Sequence, residues 1–367
     1  MHNPLIPTID ISPKTPIKLC YYHNLNGVRG VAALMVVVFH FFIYPNANYL
    51  INLKIYQKIT EFGQHGVSLF FILSGFVITR ILINTRTDQD YFISFYRKRV
   101  LRILPLYYLF LFVYYNAIRL LDKSQNVDII LQLPYYLYLQ NLTEILKIHA
   151  SGPRHYWSLA VEEHFYLLWP FVILFILPKN IGKVIVVVII LVLFIKYVML
   201  SNGLSINYFT FTRIDQILMG AYLAYLEFKN FFYKKNSFNK IMYIGFVAFF
   251  LSVFVYSLSD YFFFIKEMIK YLLLGLISFS IIGCLIMLKK ENIVNRILLG
   301  NFWQYLGRIS YGIYIWHVLV LIILNRYFVA KILFIDLFMT LTLTVGIAHL
   351  SYFYYEINFI SKKKSYN

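Results

Sequence analysis

Charged residues are scarce in this sequence. Only 14% of its 367 residues are Asp, Glu, Lys or Arg, against about a quarter in a soluble globular domain. Cysteine is nearly missing. Cys20 and Cys284 are too few and too far apart for a disulfide framework or a zinc site, and no bound metal or cofactor is expected. Acidic residues number 16 against 34 basic ones, a net charge of +18. That excess does not point to nucleic acid, because the basic residues sit in short loops between apolar runs, as the positive-inside bias produces. A cleavable leader is also not evident. The first 20 residues hold four prolines and no apolar core, so the first apolar run is expected to remain as an anchor.

What the chain has is hydrophobicity. Sixty per cent of its residues are hydrophobic and the mean hydropathy is +0.67. The excess recurs in blocks of about 17 to 23 residues, the length that crosses a bilayer as a helix. The expected fold is an all-α integral membrane protein with about ten transmembrane helices, near 27–45, 65–83, 103–121, 157–177, 183–201, 213–229, 240–258, 270–288, 306–325 and 332–354. Placing both termini in the cytoplasm puts most of the lysines and arginines inside, including the run from Arg80 to Arg102.

No linker or composition break divides the chain. The expected organisation is a cytoplasmic segment 1–24, a transmembrane domain 25–356 and a basic cytoplasmic tail 357–367. The longest piece between spans, about 122–156, would lie outside. No soluble catalytic domain is expected after the last span. No inverted repeat is visible, which weakens a transporter reading.

The stretch NGVRGVAALMVVVFH, residues 26–40, is a long apolar run bounded by Arg29 and His40. Eleven residues at 100° each return to within about 20° of the same helix face, about 16 Å along the axis. Gly27, Gly30, Ala32 and Ala33 keep the inner end slim for close packing or ligand access. A plainer reading stays open, with Arg29 as a topogenic anchor and His40 as an interfacial or satisfied core histidine. Ionisable groups inside spans are costly and often functional.

Six segments in order resemble the membrane-bound acyltransferase 3 family. They are LNGVRGVAALMVVVFH, GVSLFFILSGFVITR, FYRKRVLRILPLYY with its Arg-x-x-Arg at Arg99 and Arg102, WSLAVEEHFYLLWP, TRIDQILMGAYLAY and ISYGIYIWH. The resemblance covers about 25–355. Three departures stand out: Asn26 where Asp is usual, His164 where Gln is usual, and FYYEINF keeping Glu356 without the proline that often follows.

The resemblance implies an acyl-CoA-dependent O-acyltransferase. It would move acetyl from acetyl-CoA to a hydroxyl of a cell-envelope glycan or lipid-linked sugar, O-antigen modification being one such reaction. The protein would be a multi-pass protein of the cell membrane, the inner membrane of a bacterium. Arg29, Arg99 and Arg102 would hold the anionic donor, as arginines bind phosphate multidentately. Arg97 and Lys98 read as topogenic charge. Neutral His40 would be the general base, with a covalent acyl-histidine relay as the rival route.

A carboxylate would orient the base, and Glu162, Glu163, Asp215 and Glu356 are the candidates. Glu162 is favoured over Glu163, since neighbours point about 100° apart, and Glu356 is kept as a catalytic candidate. Asp215 is expected to pair with Arg213. Ser310, Tyr314 and His317 form one polar stripe. Ser74, Trp157, Tyr311 and His317 are taken as lining the substrate cavity, and Tyr166 as a packing group. His65, His149, His155 and His349 are given structural roles. The alternative from another class is a polytopic glycan polymerase or flippase, which would need neither acyl-CoA nor the basic inner cluster. A membrane scaffold is disfavoured by so many ionisable groups near spans.

Overall fold

The computed structural model describes residues 21–43, 53–121, 128–328, 330 and 332–361. Residues 1–20, Cys20 among them, and the tail residues 362–367 lie outside the described residues. In chain order the helices are α1 (His23–Ile43), α2 (Leu53–Asn84), α3 (Tyr91–Leu121), the short α4 (Ile129–Tyr136), α5 (Trp157–Phe175), α6 (Ile181–Ser201) and α7 (Thr210–Phe228). They continue as α8 (Ser237–Ser257), α9 (Phe263–Met287), α10 (Ile293–Leu298), α11 (Asn301–Tyr327), α12 (Leu333–Leu350) and α13 (Ile357–Ser361). The described residues form no strand, and the chain is an all-α, multi-pass membrane protein.

Among the described residues, nine helices are long and apolar enough to cross a membrane. The tenth expected span is α7, 19 residues long. It misses on apolarity because Arg213, Asp215 and Glu227 interrupt it. It need not be apolar, since it packs inside the bundle against α2, α6 and α9. Peripheral helices show the opposite pattern. Leu191 and Phe194 on α6, Phe246 and Phe250 on α8 and Phe334 on α12 are all exposed, as a lipid-facing surface requires.

Two boundaries differ from expectation for one reason. The basic cluster of α3 marks where the chain leaves the apolar layer, not where the helix ends. The helix therefore starts at Tyr91 and carries Arg97 to Arg102 as part of itself, running on through Pro105. At the far end, α12 does not stop near 354. It passes through a π-helical turn, Ser351–Glu356, into α13. Such turns re-aim side chains and occur often at functional sites.

The centre is built by close helix contacts. A Cβ on Gly307 of α11 would lie 2.0 Å from the Asn26 carbonyl oxygen of α1, and one on Gly75 of α2 would lie 1.8 Å from that of Ile217 of α7. Only glycine permits these approaches. Phe39 of α1 lies against Gly63 of α2 while Met35 lies against Gly66, so α1 and α2 are antiparallel. Ser68 bonds Gln216 and Arg80 pairs with Glu227, so α2 and α7 run parallel. The start of α7 and the end of α1 therefore share one end of the bundle.

Candidate active site

The site has two levels. At the first, three histidines converge from separate parts of the chain. His40 comes from the last turn of α1, His317 from α11, and His155 from a 3₁₀ turn, Arg154–Tyr156, just before α5. The ring centroids of His40 and His317 lie 4.8 Å apart, His155 and His317 4.7 Å, and His40 and His155 5.8 Å.

The hydrogen bonds assign the protons. His317 Nδ1 lies 2.7 Å from the carbonyl oxygen of Tyr314. A carbonyl only accepts, so Nδ1 carries the proton and Nε2 of the neutral ring accepts. His40 Nδ1 lies 3.1 Å from that Nε2 and 3.0 Å from the Val36 carbonyl oxygen. Both neighbours are acceptors, so His40 is protonated at Nδ1. Its Nε2 keeps the basic lone pair. His155 is buried, and neither of its ring nitrogens has a hydrogen-bond partner among the described residues. Its backbone is held by Tyr314, whose hydroxyl donates to the His155 carbonyl at 2.8 Å and also bonds Ser158.

The second level lies deeper, on the side of the basic cluster. A cavity of about 110 Å³ is lined by Arg29, Arg99, Arg102, Ser74, Glu162 and Glu163, with Tyr166, Tyr311, Tyr314 and Ser310 also on its wall. Ser74 bonds the Tyr166 hydroxyl, and the Arg99 guanidinium lies over the Tyr166 ring, 5.5 Å from its centroid. A wider cavity of about 360 Å³ adjoins it and shares Arg29, Arg102 and Tyr311 as walls. Arg308, Gln304 and Glu356 line this mouth. The π-helical turn aims Glu356 inward, where it accepts from the Ser351 hydroxyl at 3.2 Å.

The expected groups thus separate by depth. Arg99 and Arg102, three residues apart, line one cavity together with Arg29 of α1, while Arg97 and Lys98 line neither cavity. Ser74 and Tyr311 line the inner cavity, and Trp157 packs on its wall against Phe71 with centroids 5.9 Å apart. His317 sits with His40 rather than in that cavity. Both glutamates face the cavity, because it wraps a broad arc of α5 and accepts side chains 100° apart. Glu162 and Glu356 lie with the arginines; the His40 ring is bonded to Val36 and His317. Asn26 lines the wider cavity with Arg29 and donates to the Gln304 carbonyl at 3.0 Å.

One expected pairing is corrected, and one histidine lies where the sequence did not place it. Asp215 pairs with Lys196 Nζ at 2.5 Å, both fully buried, and not with Arg213. Arg213 instead lays its guanidinium on the Tyr271 ring, 3.4 Å from the centroid. His155, given a structural role, is the third member of the histidine cluster. Its one sequence signal was position, two residues before the Trp-Ser-Leu segment. Two other histidines are hydrogen-bonded as structural groups: His349 to Tyr305 at 2.8 Å, and His164 to Thr210 at 2.7 Å. Among the described residues, no group of three or more His, Cys, Asp or Glu has metal-binding geometry.

The fold and site together define a helical membrane protein with an arginine-lined cavity below a cluster of three histidines. The chain belongs to the acyltransferase domain family, whose model matches residues 22–353. It is similar to the O-acetyltransferase OatA of Staphylococcus aureus strain MRSA252, with 27% identity over 94% of this chain and 60% of the relative. The OatA of strain NCTC 8325 / PS 47 is also 27% identical, over 92% of this chain and 57% of the relative. The chain thus spans about 60% of the length of the curated relatives it matches. No solved structure matches it.

Proposed function

We propose that this protein is an acetyl-CoA-dependent O-acetyltransferase acting on a hydroxyl of a cell-envelope glycan or lipid-linked sugar, with His40 as general base. The observation that carries the reading is the pair of bonds at His40 Nδ1, which fix the neutral tautomer whose basic lone pair is on Nε2. Family membership and the similarity to O-acetyltransferases support the reaction class over a polymerase or flippase. The excess of basic residues at the inner ends of the helices supports a cytoplasmic mouth and cytoplasmic termini in a bacterial inner membrane.

In this mechanism the nucleotide phosphates of the donor rest on Arg29, Arg99 and Arg102, and the pantetheine arm runs up through the cavity. Arg29 and His40 are separated by about 16 Å of helix rise, a distance that the thin arm is suited to cross. His40 Nε2 removes the acceptor hydroxyl proton as the oxygen attacks the thioester carbonyl. The tetrahedral intermediate collapses, the carbon–sulfur bond breaks, and the imidazolium returns the proton to the leaving CoA thiolate. A positioned base of this kind contributes about 10²- to 10⁴-fold.

The test is single-turnover transfer of labelled acetyl from acetyl-CoA in nanodiscs with envelope glycan acceptors. Wild type should transfer, and His40→Ala should lose transfer while still binding donor. If wild type neither binds nor turns over any acyl-CoA in a donor panel, the reading fails.

A further inference from the structure

Three cations surround one tyrosine ring near the start of α7. The Arg213 guanidinium carbon lies 3.4 Å from the Tyr271 ring centroid, Lys270 Nζ 4.8 Å and Lys196 Nζ 5.9 Å. Two of the three have a counter-charge. Lys196 pairs with Asp215 at 2.5 Å, and Lys270 with Glu267 at 3.3 Å. Among the described residues no carboxylate pairs with Arg213. Its Nε and Nη1 have no hydrogen-bond partner, and Nη2 reaches only Gln216 Oε1 at 3.5 Å. Arg213 is 3% exposed, so bulk solvent does not reach it.

The cluster therefore holds one positive charge more than it balances, inside a membrane bundle where unpaired charge is costly. The tyrosine face offsets part of that cost by a cation–π contact. It does not satisfy the N–H groups, which lie in the guanidinium plane. Nε and Nη1 lie on different edges of the guanidinium, and each edge is completed by Nη2, whose bond to Gln216 is long at 3.5 Å and uses one of its two N–H groups. An edge of this kind binds a carboxylate or phosphate through two parallel hydrogen bonds.

The position of this fork ties it to the histidines. Arg213 lies at the end of the bundle that holds His40. Its guanidinium is 5.1 Å from the Trp157 ring centroid, and Trp157 is two residues from His155, whose ring lies 5.8 Å from that of His40. Tyr208, 43% exposed, packs beside Trp157 with centroids 5.4 Å apart. An aromatic wall thus leads from the surface toward the arginine, and flat aromatic faces suit the apolar face of a sugar ring.

We propose that Arg213 is the oxyanion subsite of the acceptor, so that the glycan or lipid-linked sugar taken by this protein is anionic. The proposal rests on the acceptor being a sugar, as in the function proposed above. The oxyanion is either a carboxylate on the glycan or the phosphate of a lipid-linked sugar. Arg213 binds it, and Trp157 lies against the sugar whose hydroxyl faces His40.

Binding to protein in nanodiscs, without any acyl donor, tests this. The probes are a glucose-terminated oligosaccharide, its glucuronate-terminated counterpart, and a neutral sugar linked through a polyprenyl phosphate. Wild type should bind one anionic probe at least about tenfold more tightly than the neutral one, and which probe it prefers identifies the source of the oxyanion. Arg213→Met should erase that preference with neutral-probe binding unchanged. Arg213→Lys should retain part of it, as a point charge replaces a fork. Glu267→Gln removes a nearby counter-charge, keeps Arg213 in place, and should tighten anionic binding severalfold.

No preference in wild type, a preference that survives Arg213→Met, or no change in Glu267→Gln would overturn the proposal. Since no donor is present, these results are independent of whether acetyl transfer occurs. Loss of transfer with every donor would instead sink the acetyltransferase reading and leave the binding data standing.

Discussion

His317 Nε2 accepts from His40 Nδ1 at 3.1 Å, and its own Nδ1–H donates to the Tyr314 carbonyl 2.7 Å away. The two rings thus form a directed chain that fixes the basic lone pair of His40 on Nε2. In serine hydrolases a carboxylate holds the catalytic imidazole in one tautomer; in this protein a second imidazole and the Val36 carbonyl hold His40 in one tautomer.

His317→Ala should therefore lower kcat about tenfold and leave the KM for acetyl-CoA unchanged. The loss is smaller than for His40→Ala because Val36 still accepts from Nδ1. His317→Gln places an amide oxygen near the former Nε2 and should recover most of the rate. Steady-state kinetics on the three proteins checks this. Equal losses in the alanine and glutamine variants would make His317 a packing residue only.

The inner arginines predict a different signature. Hydrogen bonds to charged groups contribute about 1.5–3 kcal/mol, so Arg99→Ala or Arg102→Ala should weaken equilibrium CoA binding by about 10- to 100-fold. Lysine at either position should recover charge but not bidentate geometry, giving an intermediate affinity. Arg97→Ala, outside both cavities, should bind CoA like wild type. Calorimetry with CoA alone reads all of these without turnover.

Much of this architecture is legible in the sequence, for identifiable reasons. Apolar block length marks the lipid-facing helices, and eleven-residue spacing puts Arg29 and His40 on one stripe of α1. Three-residue spacing likewise brings Arg99 and Arg102 to one cavity. Periodicity reports one helix at a time, so it misses what tertiary packing assembles. His155 reaches the cluster through a turn outside any span. Asp215 finds its partner on α6, where Lys196 sits within an apolar run as if it were a stray charge. Glu162 and Glu163 diverge by 100° yet share a cavity because its width is set by neighbouring helices.

The α2–α7 crossing gives a packing prediction. Gly75→Ala would place a Cβ 1.8 Å from the Ile217 carbonyl oxygen, a backbone atom that cannot rotate away. The helices must then separate, and overpacking of this kind costs about 1–3 kcal/mol or more. Because Ser74 and Arg99 line the adjacent cavity, the variant should both melt at lower temperature in detergent and bind CoA more weakly. Gly346→Ala has no atom within 4 Å of its new Cβ and should match wild type in both assays.

The buried pair of Lys196 and Asp215 predicts a non-additive result. Both side chains are fully buried, so removing one leaves an ion without a partner in a low-dielectric interior. Breaking such a pair costs about 3–5 kcal/mol, whereas replacing both members by apolar groups is often neutral. Lys196→Met and Asp215→Leu should each lower the melting temperature sharply, and the double variant should recover most of the loss. Arg213 complicates the Lys196→Met protein in a useful way. With Lys196 gone, Asp215 has one remaining buried cation near it, so Lys196→Met should be milder than Asp215→Leu, which strands Lys196 and Arg213 together. Additive losses would mean that the two residues act independently, and a milder Asp215→Leu would mean that the excess positive charge around Tyr271 does not govern the stability of this region.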